Sequence, residues 1–184
     1  MKIDEISKLI SRFIFRRKIS RIEDYTPKLK KKGEYLTLAR VYASTYEIHL
    51  LANLLKKNPL KEYPENFRNK IVNPIMNMIR NLATGKAPIE PFDLYFAFNL
   101  LNLFELIEAL PEEARKEALK LIDENLEIIE HYYAKSIWFV ASVGMLTDFT
   151  KLINSFLEKA RKYNKKLAET VKREAAIRRL CSNI

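Results

Sequence analysis

An all-α fold, arranged as a single-domain helical bundle of five to seven helices, is predicted by three features of this sequence. Only three glycines occur in 184 residues (Gly33, Gly85, Gly144), too few for the closely spaced tight turns of a β-rich fold. Apolar residues recur every three to four positions through most of the chain, the period of a helix with one buried face. Composition agrees: 48% hydrophobic, 11% aromatic and 30% charged residues describe a globular chain. At this length, folding removes roughly 70% of the unfolded surface from water, so residues 1–184 are read as one domain.

Asp4 can cap a first helix running to about Ile22, with Ile6, Leu9, Ile10, Phe13 and Ile14 on its inward face. Thr26 and Pro27 have the form of a cap and first-turn proline, and the lysine-rich stretch from Lys28 to Gly33 reads as a basic loop or single turn. From Glu34 to Lys57 one long core helix is predicted, carrying Leu38, Tyr42, Tyr46, His49 and Ala52 and ended by Asn58-Pro59. Pro64 opens the next, with Ile71, Ile75, Ile79 and Leu82 on its core face, Pro74 as a kink or break, and Gly85 at its end. Residues 86–91 hold two prolines and form a possible subdomain joint.

Phe92 to Leu110 is apolar around most of its circumference, as a central helix is, leaving Asn99, Asn102 and Glu105 as a narrow exposed stripe. Pro111 starts a helix whose first turn holds Glu112 and Glu113, where the dipole favours acids, and which is predicted to reach Tyr133 or beyond. Gly144 interrupts the helical pattern past that point. Thr147 and Asp148 then cap one long terminal helix with Leu152, Phe156, Ala160, Tyr163, Leu167 and Val171 in line.

Charge is distributed in blocks. Residues 1–40 and 151–184 each carry a net +7, residues 91–150 a net −7, and residues 41–90 a net +3, giving +10 for the chain. Two cationic ends around an anionic middle suit a polyanion on one surface and a protein on another. The candidate nucleic-acid-binding residues are Arg12, Arg16, Arg17, Lys18 and Arg21 of the first helix, Lys30, Lys31 and Lys32 after it, and Lys162, Lys165 and Lys166 of the last. Phosphates attract such arrays largely without regard to base sequence, because condensed counterions are released. DNA and RNA are equally compatible. The bland reading is a solvated face. The acids of 91–150 (Glu105, Glu108, Asp123, Glu124, Glu127, Glu130 among them) are read as partners for basic helices of the same chain or of an adjacent copy, the latter giving self-association through this region. Tyr25, Tyr35, Tyr42, Tyr46 and Tyr63 offer rings for base stacking, although at helical spacing Tyr42 and Tyr46 fit a core better.

Catalytic patterns are missing. His49 and His131 lack the Glu-x-x-His spacing of a helical di-iron site, and no HExxH, P-loop, nucleophile elbow or GxGxxG occurs. The chain is therefore read as non-enzymatic, with no cofactor and no metal. The lone Cys181 excludes an internal disulfide framework and fits a reducing, cytoplasmic setting. No signal-peptide pattern opens the chain, and Ile137 to Leu146 is about half a membrane-spanning length, so a membrane partner is disfavoured. Heavy use of Lys and Glu without any Gln leans towards a thermophilic source, against which stand thirteen Asn. The function read from these features is a non-catalytic, nucleic-acid-binding small subunit of a larger nucleoprotein assembly; the alternative is a protein-interaction adaptor with an acidic partner.

Overall fold

A computed structural model describes residues 10, 13–17, 31–88 and 93–181, and its regular structure there is entirely helical. Residues 13–17 are helical. The described residues beyond them form nine longer helices: α1 (Lys32–Ser44), α2 (Ile48–Lys57), α3 (Glu65–Ala83), α4 (Leu94–Leu101), α5 (Leu103–Ala109), α6 (Glu112–Glu124), α7 (Leu126–Ser142), α8 (Thr150–Tyr163) and α9 (Lys165–Cys181), with a short 3-10 turn at Leu60–Glu62. The number exceeds the predicted five to seven because four of the long helices read from the sequence are each two.

Two kinds of chemistry recur at the helix ends, those breaks among them. The first is a left-handed residue just past the helix end, which lets the next amide donate back to an orphan carbonyl. Gly85 (φ 71°) and Gly144 (φ 70°) do this, with Lys86 N–H donating to the Asn81 carbonyl at 2.8 Å and Met145 N–H to that of Val140 at 2.9 Å. Tyr46 (φ 57°) does the same between α1 and α2, where Glu47 N–H donates to the Tyr42 carbonyl at 2.8 Å. A tyrosine in this region is strained, and it is held there because its ring is buried.

The second kind is an asparagine bonded to its own helix. Asn58, Asn102 and Asn125 donate from Nδ2 to the carbonyls of Leu54, Phe98 and Leu121 at 3.1, 2.8 and 2.9 Å, and each stands just past a helix end. A side-chain amide that occupies a carbonyl of the last turn competes with the next backbone donor. Asn164 separates α8 from α9 by capping the latter, its Oδ1 accepting from Leu167 N–H at 2.8 Å. The predicted cap at Thr147-Asp148 is displaced; α8 begins at Thr150 after a turn. Pro74, by contrast, neither ends nor divides α3.

Helices α4 and α5 lie at the centre, against α2, α7, α8 and each other, as their all-round apolar surface requires. Asn99 and Asn102 are therefore buried, not an exposed stripe. Their polar atoms are satisfied inside: Asn99 donates to the Tyr95 carbonyl at 3.0 Å and accepts from His49 N–H at 2.9 Å. Around them Phe104 meets Phe156 and Tyr163 at 5.5 and 5.8 Å, and Tyr133 meets Phe156 at 4.7 Å while its hydroxyl donates to the Leu100 carbonyl at 2.8 Å. One cluster of buried side chains, from Tyr35 to Val171, includes residues on both sides of segment 86–91.

Two antiparallel hairpins give the molecule its ends. Tyr35, near the start of α1, donates its hydroxyl to the carbonyl of Asn58, just past α2, at 2.7 Å, so the open end of the α1–α2 hairpin lies there. Helices α8 and α9 fold back at Asn164, and Arg179 Nη2 donates to Thr150 Oγ1 at 2.9 Å at their open end. The tip and the open end of that second hairpin are separated by about 20 Å of helix.

Candidate nucleic-acid interface

At the open end of the α8–α9 hairpin the two cationic termini meet. Arg16 Nη2 reaches Asp148 Oδ1 at 2.5 Å, two residues before the threonine held by Arg179. Phe15 anchors this approach by stacking on Phe149 at 5.2 Å and setting its edge to Phe98 at 6.0 Å. Arg17, Lys151 and Lys172 are exposed and enter no ion pair among the described residues. Lys172 and Arg179 flank a groove of about 450 Å³ between α8 and α9, lined also by Thr150, Asn154 and apolar side chains such as Ile153, Leu157 and Leu180.

Burial of Phe15 turns the predicted inward stripe of the first helix around: Ile10, Phe13 and Ile14 are 53, 64 and 58% exposed. Phe15 takes the inward seat, where its ring meets those of Phe149 and Phe98. This end is therefore cationic and apolar together.

The opposite end differs. Lys159 Nζ lies 3.1 Å from Glu105 and 2.6 Å from Glu108, Lys56 bonds Glu105 from α2, and Lys162 is 3.4 Å from Glu108, which also accepts from the Tyr163 hydroxyl at 3.1 Å. Lys166 is 3.8 Å from Glu130, and Asn164 donates to Asp123 at 2.6 Å. Burial pushes the Glu105 and Glu108 carboxyls up, but hydrogen bonds and charge from Lys56 and Lys159 on the first, and from Lys159, Tyr163 and Lys162 on the second, outweigh it and leave both below the usual 4.5. The hydrogen bond to Glu108 raises the Lys159 ammonium above its ordinary value, with burial opposing.

The predicted binding residues thus divide. Arg12, Lys18, Arg21 and Lys30 lie outside the described residues. Arg16 and Arg17 stand at the open end. Lys31 and Lys32 are exposed by the start of α1, where Lys32 Nζ lies 5.8 Å over the Phe67 ring and is not in a loop but in the helix. Lys162, Lys165 and Lys166 flank the hairpin tip, and the first and last of these already face carboxylates. Lys151 and Arg179 take their place at the open end with Arg16, and Lys172 lies farther along α9 on the same groove as Arg179. The sequence offered one signal for this exchange, Asn164 as a cap; with α8 and α9 read as one helix, Lys162 and Arg179 would extend the same way from the core.

Tyr35 and Tyr46 are buried and present no stacking face; Tyr25 lies outside the described residues. Burial drives the Tyr35 phenol far up. His49 sits against Phe98 at 4.8 Å with its Nε2 3.0 Å from Asn53 Nδ2, and His131 is exposed on α7. Among the described residues no three His, Cys, Asp or Glu side chains are grouped so as to hold a metal ion, and no helix is long and apolar enough to cross a membrane. No family model matches this chain, and neither a curated protein nor a solved structure matches it.

Proposed function

We propose that this chain binds nucleic acid without catalysis, through Arg16, Arg17, Lys151, Lys172 and Arg179, as a small subunit of a larger nucleoprotein assembly. One observation carries the reading: Arg16 and Arg179, from opposite ends of the sequence, converge on Asp148 and Thr150 at the start of α8. Arg16, Arg17, Lys151 and Arg179 there, with Lys172 farther along the groove, outnumber the carboxylates they meet, whereas at the hairpin tip Lys159, Lys162 and Lys166 are paired with Glu105, Glu108 and Glu130, and Arg161 and Lys165 remain exposed. Excess charge on an exposed surface attracts the phosphate backbone and says nothing about base identity. Exposed Phe13, three residues before Arg16, adds a ring on which an unpaired base can stack.

The test is a titration of single-stranded and duplex DNA and RNA of about 20 nucleotides over a range of salt. Affinity should fall linearly on logarithmic axes with a slope of roughly −4, the value for five cations each displacing slightly less than one counterion. No binding at low salt overturns the reading.

A second reading, a protein-interaction adaptor, is favoured by the exposed Ile10, Phe13, Ile14 and Leu180. Within an assembly these serve the neighbouring subunit. Self-association through residues 91–150 has less support, because the best-placed acids there, Glu105, Glu108 and Glu130, face lysines of their own chain.

A further inference from the structure

Helix α3 carries a row of asparagines that lies outside both the buried core and the cationic surface. Asn66, Asn69, Asn73 and Asn77 succeed one another at steps of three and four residues, fall within about 80° of the helix circumference, and are all exposed. Asparagine is a poor helix former, since its amide competes for backbone bonds, so four on one solvent face lower the intrinsic stability of α3, and none of them is buried in the core. Three of them, Asn69, Asn73 and Asn77, form one wall of a cleft of about 490 Å³ whose other wall is α6, with Pro111, Glu113 and Glu117. That volume lies in the range of ligand sites.

Two details make this a built surface. Arg80 spans the cleft, donating from Nη2 to Glu117 Oε1 at 2.9 Å and from Nη1 to Asn77 Oδ1 at 3.0 Å, which fixes the Asn77 amide with its two N–H donors turned away from Arg80. Pro74 has no N–H, so the Lys70 carbonyl loses its helical donor on the side of α3 that bears Asn73 and Asn77. Beside the Arg80–Glu117 pair and the apolar Val72, Met76 and Ala114, the α3 wall of the cleft presents neutral amides in a regular row.

We propose that this cleft binds an extended peptide segment of a partner protein by its main chain. Each side-chain amide can donate to one backbone carbonyl and accept from one backbone N–H. Four residues of helix advance about 6 Å, and an extended chain repeats its outward-facing amides every two residues, about 6.6 Å. From Asn69 to Asn77 the row is about 12 Å long, which matches four to five extended residues. Nucleic acid is the poorer occupant: Glu113 and Glu117 repel phosphate, and no aromatic ring lines the cleft to stack on a base. This proposal stands independently of the polyanion surface, which lies on other helices.

The experiment tracks the asparagine side-chain NH₂ signals of the isotope-labelled full chain by NMR. The probes are three blocked hexapeptides, alternating Ala with Thr, Val or Ser, and the same peptides N-methylated at every second amide. The Asn69, Asn73 and Asn77 signals should shift with similar affinity for all three peptides, and N-methylation on the facing register should weaken binding about tenfold or more. Asn73→Ala should do the same. Pro74→Ala, which restores the missing donor to Lys70 and favours the helix, should raise the melting temperature while reducing peptide affinity, a combination that misfolding cannot produce. Absence of any shift, indifference to N-methylation, or the same signals moving with a 16-base-pair duplex instead would each overturn the proposal.

Discussion

The two ends of the α8–α9 hairpin are equally rich in basic side chains and electrostatically unlike. At the tip, Lys159 and Lys162 meet Glu105 and Glu108 of α5, and Lys166 meets Glu130 of α7, so the charge that the sequence places there is largely answered within the fold. At the open end Arg16 pairs with Asp148, while Arg17, Lys151 and Arg179 meet solvent without an ion pair to the carboxylates of α5 and α7 that serve the tip, and Lys172 is exposed farther along α9. A block of positive residues in a sequence is thus no measure of positive surface; what matters is whether helices bearing carboxylates pack beside it.

The most severe way to erase this difference removes the joint that holds both ends in place. Phe156 touches Phe104 and Tyr133 in the centre of the core, and Phe156→Ala should cost about 3–5 kcal/mol by denaturant unfolding. It should abolish the contrast between the ends, because α8 loses its seat.

A narrower break is Lys159→Met. It leaves Glu105 and Glu108, both partly buried, without their shared partner, at a cost of about 1–3 kcal/mol by urea unfolding. Lys162→Met, at an exposed position where solvent screens the pair, should cost much less. The same network makes stability depend on pH at both extremes. Carboxyls held below 4.5 in the folded state contribute stability that is full above the unfolded value and is lost as pH falls through the folded one. The Lys159 ammonium, raised in the folded state, contributes fully below 10.5 and loses that contribution as pH rises through its folded value. Stability should therefore hold a plateau between these limits and fall at both, and Lys159→Met should flatten both limbs. An unchanged acid limb in that variant would show that the tip network does not stabilise the fold.

Much of this fold was legible from periodicity. The core faces of α3 and α8 contain the residues that spacing selected (Ile71, Ile75 and Ile79; Phe156 and Ala160), and all are buried. Helix ends that use glycine were legible too. Tyr46 was not, because tyrosine rarely accepts a left-handed backbone and gives no local warning. Nor were Asn102 and Asn125, which look like ordinary polar positions until their amides turn onto their own helix. Of the candidate interface, Arg16 and Arg17 were visible as a basic terminal pair. Lys151, Lys172 and Arg179 were not, because the turn at Asn164 went unseen, and a reversal there sends Lys162 and Arg179 to opposite ends of the molecule.

The gentlest substitutions, on exposed side chains alone, bear on whether the open end carries more uncompensated charge for phosphate than the tip. The salt dependence of nucleic-acid affinity is compared for the parent chain, Arg16→Glu/Arg179→Glu and Lys162→Glu/Lys166→Glu. The first pair should reduce the logarithmic slope by about 2 and the second should change it by much less than 1. Equal losses from the two pairs, or a greater loss from the tip, would show that phosphate does not distinguish the two ends as their carboxylates require.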